Sequence, residues 1–462
     1  RPPDEQHVVL ARVVDQRRTG PVEHGHGIDL HVRRHPAQRI RETLPNQLPG
    51  RVPPPHVHRI RTVEIPGAHR TQRHATPPRL PVLSVPLRTV SGVDVVQGTF
   101  DELGRPLADV TFCVVDLETT GGEPVYASPR QILQRQLDRL AGHGLTAYAG
   151  TELEFVLYRD SYEQAWSQNY RDLTPANQYN VDYSLLGTAR VEPLLRRIRN
   201  EMAGAGLVPE SAKGECNLGQ HEIAFRYADA LTAADGHVVY KNGAKEIAAQ
   251  EGLALTFMAK PNEREGNSCH IHFSLRGEDG RSAMLSDDGP AHLSVTGQRV
   301  LAGLLATMRE FSLLFAPNIN SYKRYQPGSF APTALRWGVD NRTCALRIAG
   351  HGQGMRVENR VPGGDVNPYL AIAALVAGAL HGIENELTLE DEFRGNAYGD
   401  ASAPRVPTTL RDAHDLWAAG PVAAAAFGED VVAHYANMAR VELAAFDAAV
   451  TDWELRRGFE RL

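Results

Sequence analysis

The chain has 462 residues, a formal net charge of −6 and a pI near 6.4, so it can hold more than one domain and a large core. The mild acidity excludes nucleic acid or an anionic membrane as a general partner, and the longest apolar run, 370–380, is too short to span a bilayer. Cys113, Cys216, Cys269 and Cys344 show no CxxC spacing, which argues against a disulfide scaffold or zinc knuckle and fits a cytoplasmic protein.

Residues 1–99 contain no Phe, Tyr or Trp but hold 14 of the 30 prolines and 9 of the 19 histidines. Stretches such as RVPPPHVHRIR have neither helical nor strand periodicity. Such a segment buries too little apolar area to offset chain entropy, so 1–92 is expected to be disordered or not native coding sequence. It has no apolar signal-peptide core. Residues 93–122 end in TFCVVDLETTGG, an apolar strand running into a glycine turn, with Asp116 and Glu118 on one face where they could share a metal. The stretch resembles the first motif of proofreading-type 3′–5′ exonucleases. No later His is followed by Asp five residues on, so the motif is expected to be an inert fragment.

From residue 123 the pattern becomes that of a folded domain. SPRQILQRQLDRLAGHG predicts a helix capped by Ser128 with Pro129 at its first position. LTAYAGTELEFVLYRD alternates like a strand. Further strands are expected around 221–227, 254–260, 269–275 and 344–349, and helices around 192–205, 230–250, 291–313, 367–384, 407–420 and 428–450. The mixture reads as an α+β fold: an antiparallel curved sheet, a partial barrel, with helices around it.

Acidic and basic residues recur on these strands. TELEF sets Glu152 and Glu154 on one face, ECNLGQHEIAF carries Glu215 and Glu222, CHIHFSL carries His270 and His272, and MRVENRVP carries Glu358. Carboxylates pointing from an apolar strand need a cation, and five of them with a histidine could hold two hard divalent ions, Mg²⁺ or Mn²⁺ rather than zinc. Lys323, Arg324, Arg342, Arg347 and Arg360 form a cationic set suited to triphosphate and carboxylate groups.

The motifs GTELEF, GECNLGQHE, KPNEREGNSCHIHFSL, NSYKRYQPG, NRTCALRI, ENRVPGGDVNPYLAIAAL and VTDWELRRGFERL follow one another as in glutamine synthetases. Residues 123–462 thus resemble that family's catalytic domain. The resemblance implies one metal at Glu154, Glu215 and Glu222 and a second at Glu152, His270 and Glu358. It implies ATP at Glu210, His272, Ser274, Arg342 and Arg347, and glutamate at Gly266, Arg324 and Arg360. Arg342 and Arg360 would steady the transferring phosphoryl group. It further implies a homo-oligomeric ring and a reaction of ATP, glutamate and an amine through γ-glutamyl phosphate.

Three departures shape the expectation. PGSFAP puts Phe330 where the family usually has a glutamate that binds and deprotonates ammonium. GNSC replaces Gly-Ser-Gly-Met, with Glu265 before Gly266. The family's β-grasp domain, which lends a loop to a neighbouring active site, is not recognisable before residue 123, so a fusion, a truncated gene or a mispredicted start is expected. The first departure predicts an organic amine, a polyamine or alkanolamine, over ammonia. The alternatives are true glutamine synthesis, with Glu265 taking the proton, and a catalytically dead synthetase-like subunit with an impaired ring.

Overall fold

The alternation in TAYAGTELEFVLY does produce a strand, β4 (Thr146–Tyr158), and the main sheet is built around it. The computed structural model describes residues 11–14, 57–63, 110–119, 124–179 and 182–462. Three strands, β1 (Ala11–Val14), β2 (Val57–Val63) and β3 (Val110–Thr119), pair antiparallel in the order β1-β3-β2. β1 and β2 fall within the segment expected to be disordered. The rest of 1–92, and of 93–122 apart from β3, lies outside the described residues.

The remaining strands are β5 (Pro209–Gly214), β6 (Gln220–Phe225), β7 (Ala228–Asp229), β8 (Ala254–Thr256), β9 (Cys269–Arg276), β10 (Trp337–Val339), β11 (Leu346–Ala349) and β12 (Arg356–Asn359). They run β10-β11-β12-β9-β4-β6-β5, with β7 and β8 also on β4. Every pairing is antiparallel except β10 with β11, and the sheet ends in two edges rather than closing. The α+β expectation holds, with one parallel pair added.

The helices fall close to their expected places. Asn367 caps Pro368–Glu384 by accepting from the Tyr369 and Leu370 amides. Ser128 precedes Pro129–Ala141 as expected but makes no side-chain cap; its carbonyl accepts from the Ile132 amide instead. The stretch 291–313 is broken. Ser294 caps a helix at Val295–Thr307 by accepting from the Gly297 amide, and a separate turn follows at Ser312–Phe315. The expected strand 254–260 stops at Thr256.

Pro368–Glu384 is buried along almost its whole length and forms the centre of the helical layer. It packs on Val295–Thr307 backbone to backbone: a Cβ on Gly303 would lie 2.1 Å from the Gly378 carbonyl oxygen, so only glycine allows this approach. Asp116 of β3 is joined to this body. Arg130 Nη1 donates to both Asp116 oxygens (3.0 and 2.9 Å), while its Nε and Nη2 donate to Asp235, which also accepts from Tyr369 Oη at 2.6 Å. The Asp116 carboxylate is thus spent on a guanidinium.

Candidate active site

Strand register brings the expected residues together. On β4, Glu152 lies opposite His270 of β9, and Glu154 lies opposite Glu222 of β6. Two side chains on one strand face therefore serve two different neighbours. Glu358 of β12 lies opposite His272 on one side and Arg347 of β11 on the other.

Glu154, Glu215 and Glu222 offer oxygens that all lie within 4.8 Å of one another. Burial, then repulsion from Glu154, lifts the Glu215 carboxyl to about 7; burial, then repulsion from Glu152, lifts Glu222 to about 8. The chain itself supplies a stand-in cation. Lys213 of β5, opposite Glu222 in register, places Nζ 2.7 Å from Glu222 and 3.0 Å from Glu215. An all-oxygen trio, two of its members buried, already drawing an ammonium fits a hard divalent ion.

A second trio, Glu152, His272 and Glu358, meets the same 4.8 Å limit. His270, expected as the ligand here, is also adjacent: its Nδ1 is 3.3 Å from Glu152 and 3.5 Å from Glu358, and its Nε2 is buried without a partner. His272, expected at ATP, puts Nε2 2.8 Å from Glu152, so both rings border this cluster. Burial opposes ionisation of Glu152, but hydrogen bonds with His270 and His272 hold its carboxyl below the usual range. Glu358 is likewise held low, to about 2, against its burial, by His270, Arg360, His272 and Arg347.

The raised acids carry a pH dependence. Their folded values exceed the ordinary 4.5, so they favour the fold at low pH and lose that contribution as pH rises through about 7 to 8. A metal needs them ionised. Mn²⁺ should bind more tightly at about pH 8 than at about pH 6 and release roughly one proton or more at the lower pH. Calorimetry in buffers of different ionisation enthalpy measures the proton count; binding with no release at either pH would contradict the site.

The expected basic residues separate. Arg347 and Arg360 both pair with Glu358, at 2.7 and 2.6 Å. Arg360 Nε also donates to the Arg342 carbonyl, which brings the Arg342 loop beside it. Arg324 is 2% exposed; its Nη1 donates to the Val361 carbonyl, and its Nη2 is buried with no partner. That is a guanidinium edge awaiting an oxygen anion. Gly266 abuts it, because a Cβ there would lie 2.5 Å from Arg324 Cγ and 2.4 Å from the Ala259 carbonyl oxygen. Ser329 Oγ donates to the Arg324 carbonyl and hooks the next loop to the same place, but Phe330 points outward, 58% exposed with φ of 62°.

Glu210, His272 and Ser274 line one pocket of about 310 Å³ on the edge of the second cluster. Tyr148, Tyr227, Arg276 and Arg356 line it too, and sequence reasoning missed them. Arg276 lies 4.3 Å from the Tyr148 ring centre, and Arg356 Nε donates to His272 Nδ1 at 3.0 Å. Tyr148 had a signal, since it shares the β4 face with Glu152 and Glu154. Lys213 was also missed, although a hairpin closed by the Gly-Gln turn puts it opposite Glu222.

The glutamine synthetase catalytic-domain family model matches residues 126–458. The chain belongs to the glutamine synthetase family. Its relatives include the γ-glutamylethanolamide synthetase GlnA4 of Streptomyces coelicolor, 69% identical over 349 residues, covering 76% of this chain and 75% of that one. A glutamate–isopropylamine ligase of a Pseudomonas species is 39% identical over 346 residues (74% and 75%). The γ-glutamylputrescine synthetase PuuA of Escherichia coli is 34% identical over 342 residues (72% and 71%). Ligand-free GmaS superposes with a TM-score of 0.68 at 31% identity, covering 75% of this chain and 80% of that one.

Proposed function

We propose that residues 123–462 form an ATP-dependent ligase that joins an organic amine, an alkanolamine in the first place, to the γ-carboxylate of glutamate. The observation that carries the choice of amine is the 69% identity to a γ-glutamylethanolamide synthetase. Phe330, standing where the family's ammonium-binding glutamate belongs, supports it. We further infer that the enzyme works in the cytoplasm as a homo-oligomer, in keeping with the free Cys216, Cys269 and Cys344 and with its family. Among the described residues no helix is long and apolar enough to cross a membrane.

The chain's residues then have distinct tasks. Arg324, with its unpartnered Nη2, and Gly266, with no side chain, hold the glutamate carboxylate and leave room for its backbone. Glu210, His272 and Ser274 hold the nucleotide. Glu154, Glu215 and Glu222 would bind one Mg²⁺ or Mn²⁺, and Glu152, Glu358 and His270 a second, with His272 at its edge. Such ions supply positive charge to phosphate oxygens during transfer. Arg342 and Arg360 add fixed positive charge where the γ-phosphoryl group meets the carboxylate. The amine then displaces phosphate, and without a carboxylate at 330 the pocket gains nothing from a bare ammonium ion. An alkyl amine instead brings apolar area worth roughly 25 cal/mol per Å² on burial.

Turnover with ammonium, ethanolamine, isopropylamine and putrescine at matched concentrations tests this reading. Ethanolamine should exceed ammonium by at least about tenfold, a difference of 1.4 kcal/mol. Phe330→Glu should move the preference back toward ammonium. Equal or better turnover with ammonium overturns the reading and would favour Glu265 as the base, whose Oε2 is buried without a partner.

A further inference from the structure

A second cavity, of about 550 Å³, is walled in part by Thr256, Phe257 and Met258. Tyr158, Tyr162, Leu255 and Phe257 give it aromatic and aliphatic walls, and Lys241 and Lys245 enter it from one face of the helix Ala230–Gln250, one turn apart. None of the residues assigned to the ligase reaction lines it.

Its charges are unbalanced. Lys241 Nζ donates to the Gly364 carbonyl at 2.7 Å and to that of Val366 at 3.3 Å, both neutral, which leaves one of its three N–H bonds without a hydrogen-bond acceptor, with the Phe257 ring centre 5.6 Å from the nitrogen. Burial, only partly offset by Asp365, pushes this ammonium down to about 8. Lys245 is exposed and has no ion-pair partner among the described residues. Among the described residues Asp365 is the one acid lining the cavity; its Oδ2 accepts from Ser321 and Asn318, and its Oδ1 is buried without a partner. Two lysines against one carboxylate leave the cavity with a net positive charge.

We infer that this cavity binds a small aromatic or branched monocarboxylate, its body against Tyr158, Tyr162 and Phe257 and its carboxylate on Lys245 and the third N–H of Lys241. A largely apolar pocket with a few convergent polar groups is the usual form of a small-molecule site. The pocket wall is joined to the ligase site. Asn267 Nδ2 donates to the Thr256 and Met258 carbonyls, and Asn267 Oδ1 accepts from Gln220 Nε2. That same Gln220 nitrogen donates to Glu154 Oε2 and to the Gly266 carbonyl. An occupant that shifts the Thr256–Met258 wall therefore changes the affinity for metal, and metal changes the affinity for the occupant by the same factor.

Calorimetric titration of the full chain with 3-phenylpropionate and with benzoate tests this directly and needs no turnover, so it can fail while the ligase reading stands. Saturable one-to-one binding is expected, not displaced by excess L-glutamate and weakened at least about tenfold by Lys245→Glu. The uncharged 3-phenylpropionamide and the cation 2-phenylethylamine should bind at least about tenfold more weakly than the acid. Mn²⁺ titration of Lys245→Glu without added acid should match the parent, showing that the variant is folded. No saturable binding of either acid overturns the proposal, as does displacement by glutamate, equal binding of the amide, or indifference to Lys245→Glu.

Discussion

Glu222→Gln should lower amine ligation by at least about a hundredfold while leaving the metal-free protein no less stable at about pH 8. Losing even an outer-sphere partner of a metal ligand costs about 10- to 100-fold in activity or affinity, and Glu222 is assigned as a ligand itself. Its effect on stability has the opposite sign. The Glu222 carboxyl is buried, 3% exposed, and lifted to about 8, so keeping it ionised above that pH opposes folding. Glutamine removes the charge and keeps the shape, and Lys213 retains Glu215 at 3.0 Å. Initial rates with ethanolamine, and melting in chelator at about pH 6 and about pH 8, check both halves. A variant that melts lower at the higher pH would show that Glu222 serves the fold rather than a metal.

Glu358→Ala should instead destabilise the fold, by about 3–5 kcal/mol, as removal of one partner from a buried ion pair does. Glu358 is 1% exposed and sits between the Arg347 and Arg360 guanidiniums at 2.7 and 2.6 Å, with His270 at 3.5 Å. Its loss leaves the Arg360 guanidinium without its carboxylate and leaves Arg347 with only the more exposed Asp340, 2.8 Å away. Because its folded carboxyl is held low, its contribution is fully present above the ordinary 4.5 and fades as pH falls toward about 2. Urea unfolding of parent and variant at neutral pH measures the difference. A loss under about 1 kcal/mol would mean that the two arginines find other partners. The same variant should lose ligation, since Arg360 is held in place by this pair.

Much of the candidate site's clustering was legible because its residues sit on short, strongly patterned strands. TELEF exposes its period of two at a glance, and the ECNLGQHE hairpin carries its own turn. The fold class followed from the same alternation. What was not legible depends on register between segments far apart in the chain. Nothing local says that Glu152 meets β9 while Glu154 meets β6, or that Glu358 lies between His272 and Arg347. The two histidines share one strand face, so spacing alone does not assign one to metal and the other to nucleotide. The apolar stretch 291–313 reads as one helix, yet the cap at Ser294 and the turn after Thr307 break it. The sheet edge β10, three residues long, has too little pattern to be seen.

Lys213 gives the first carboxylate cluster a cation of its own, tethered to the sheet. A newly made chain can therefore close its sheet around three acids with no ion bound, and metal binding there would be an exchange of one cation for another. An incoming ion would compete with a rival whose local concentration does not fall on dilution, so its apparent affinity would understate the strength of the carboxylate cage. Once displaced, the ammonium has the Tyr183 ring nearby, 5.8 Å from its present position. A lysine that guards the empty site would then stand at the rim of the filled one.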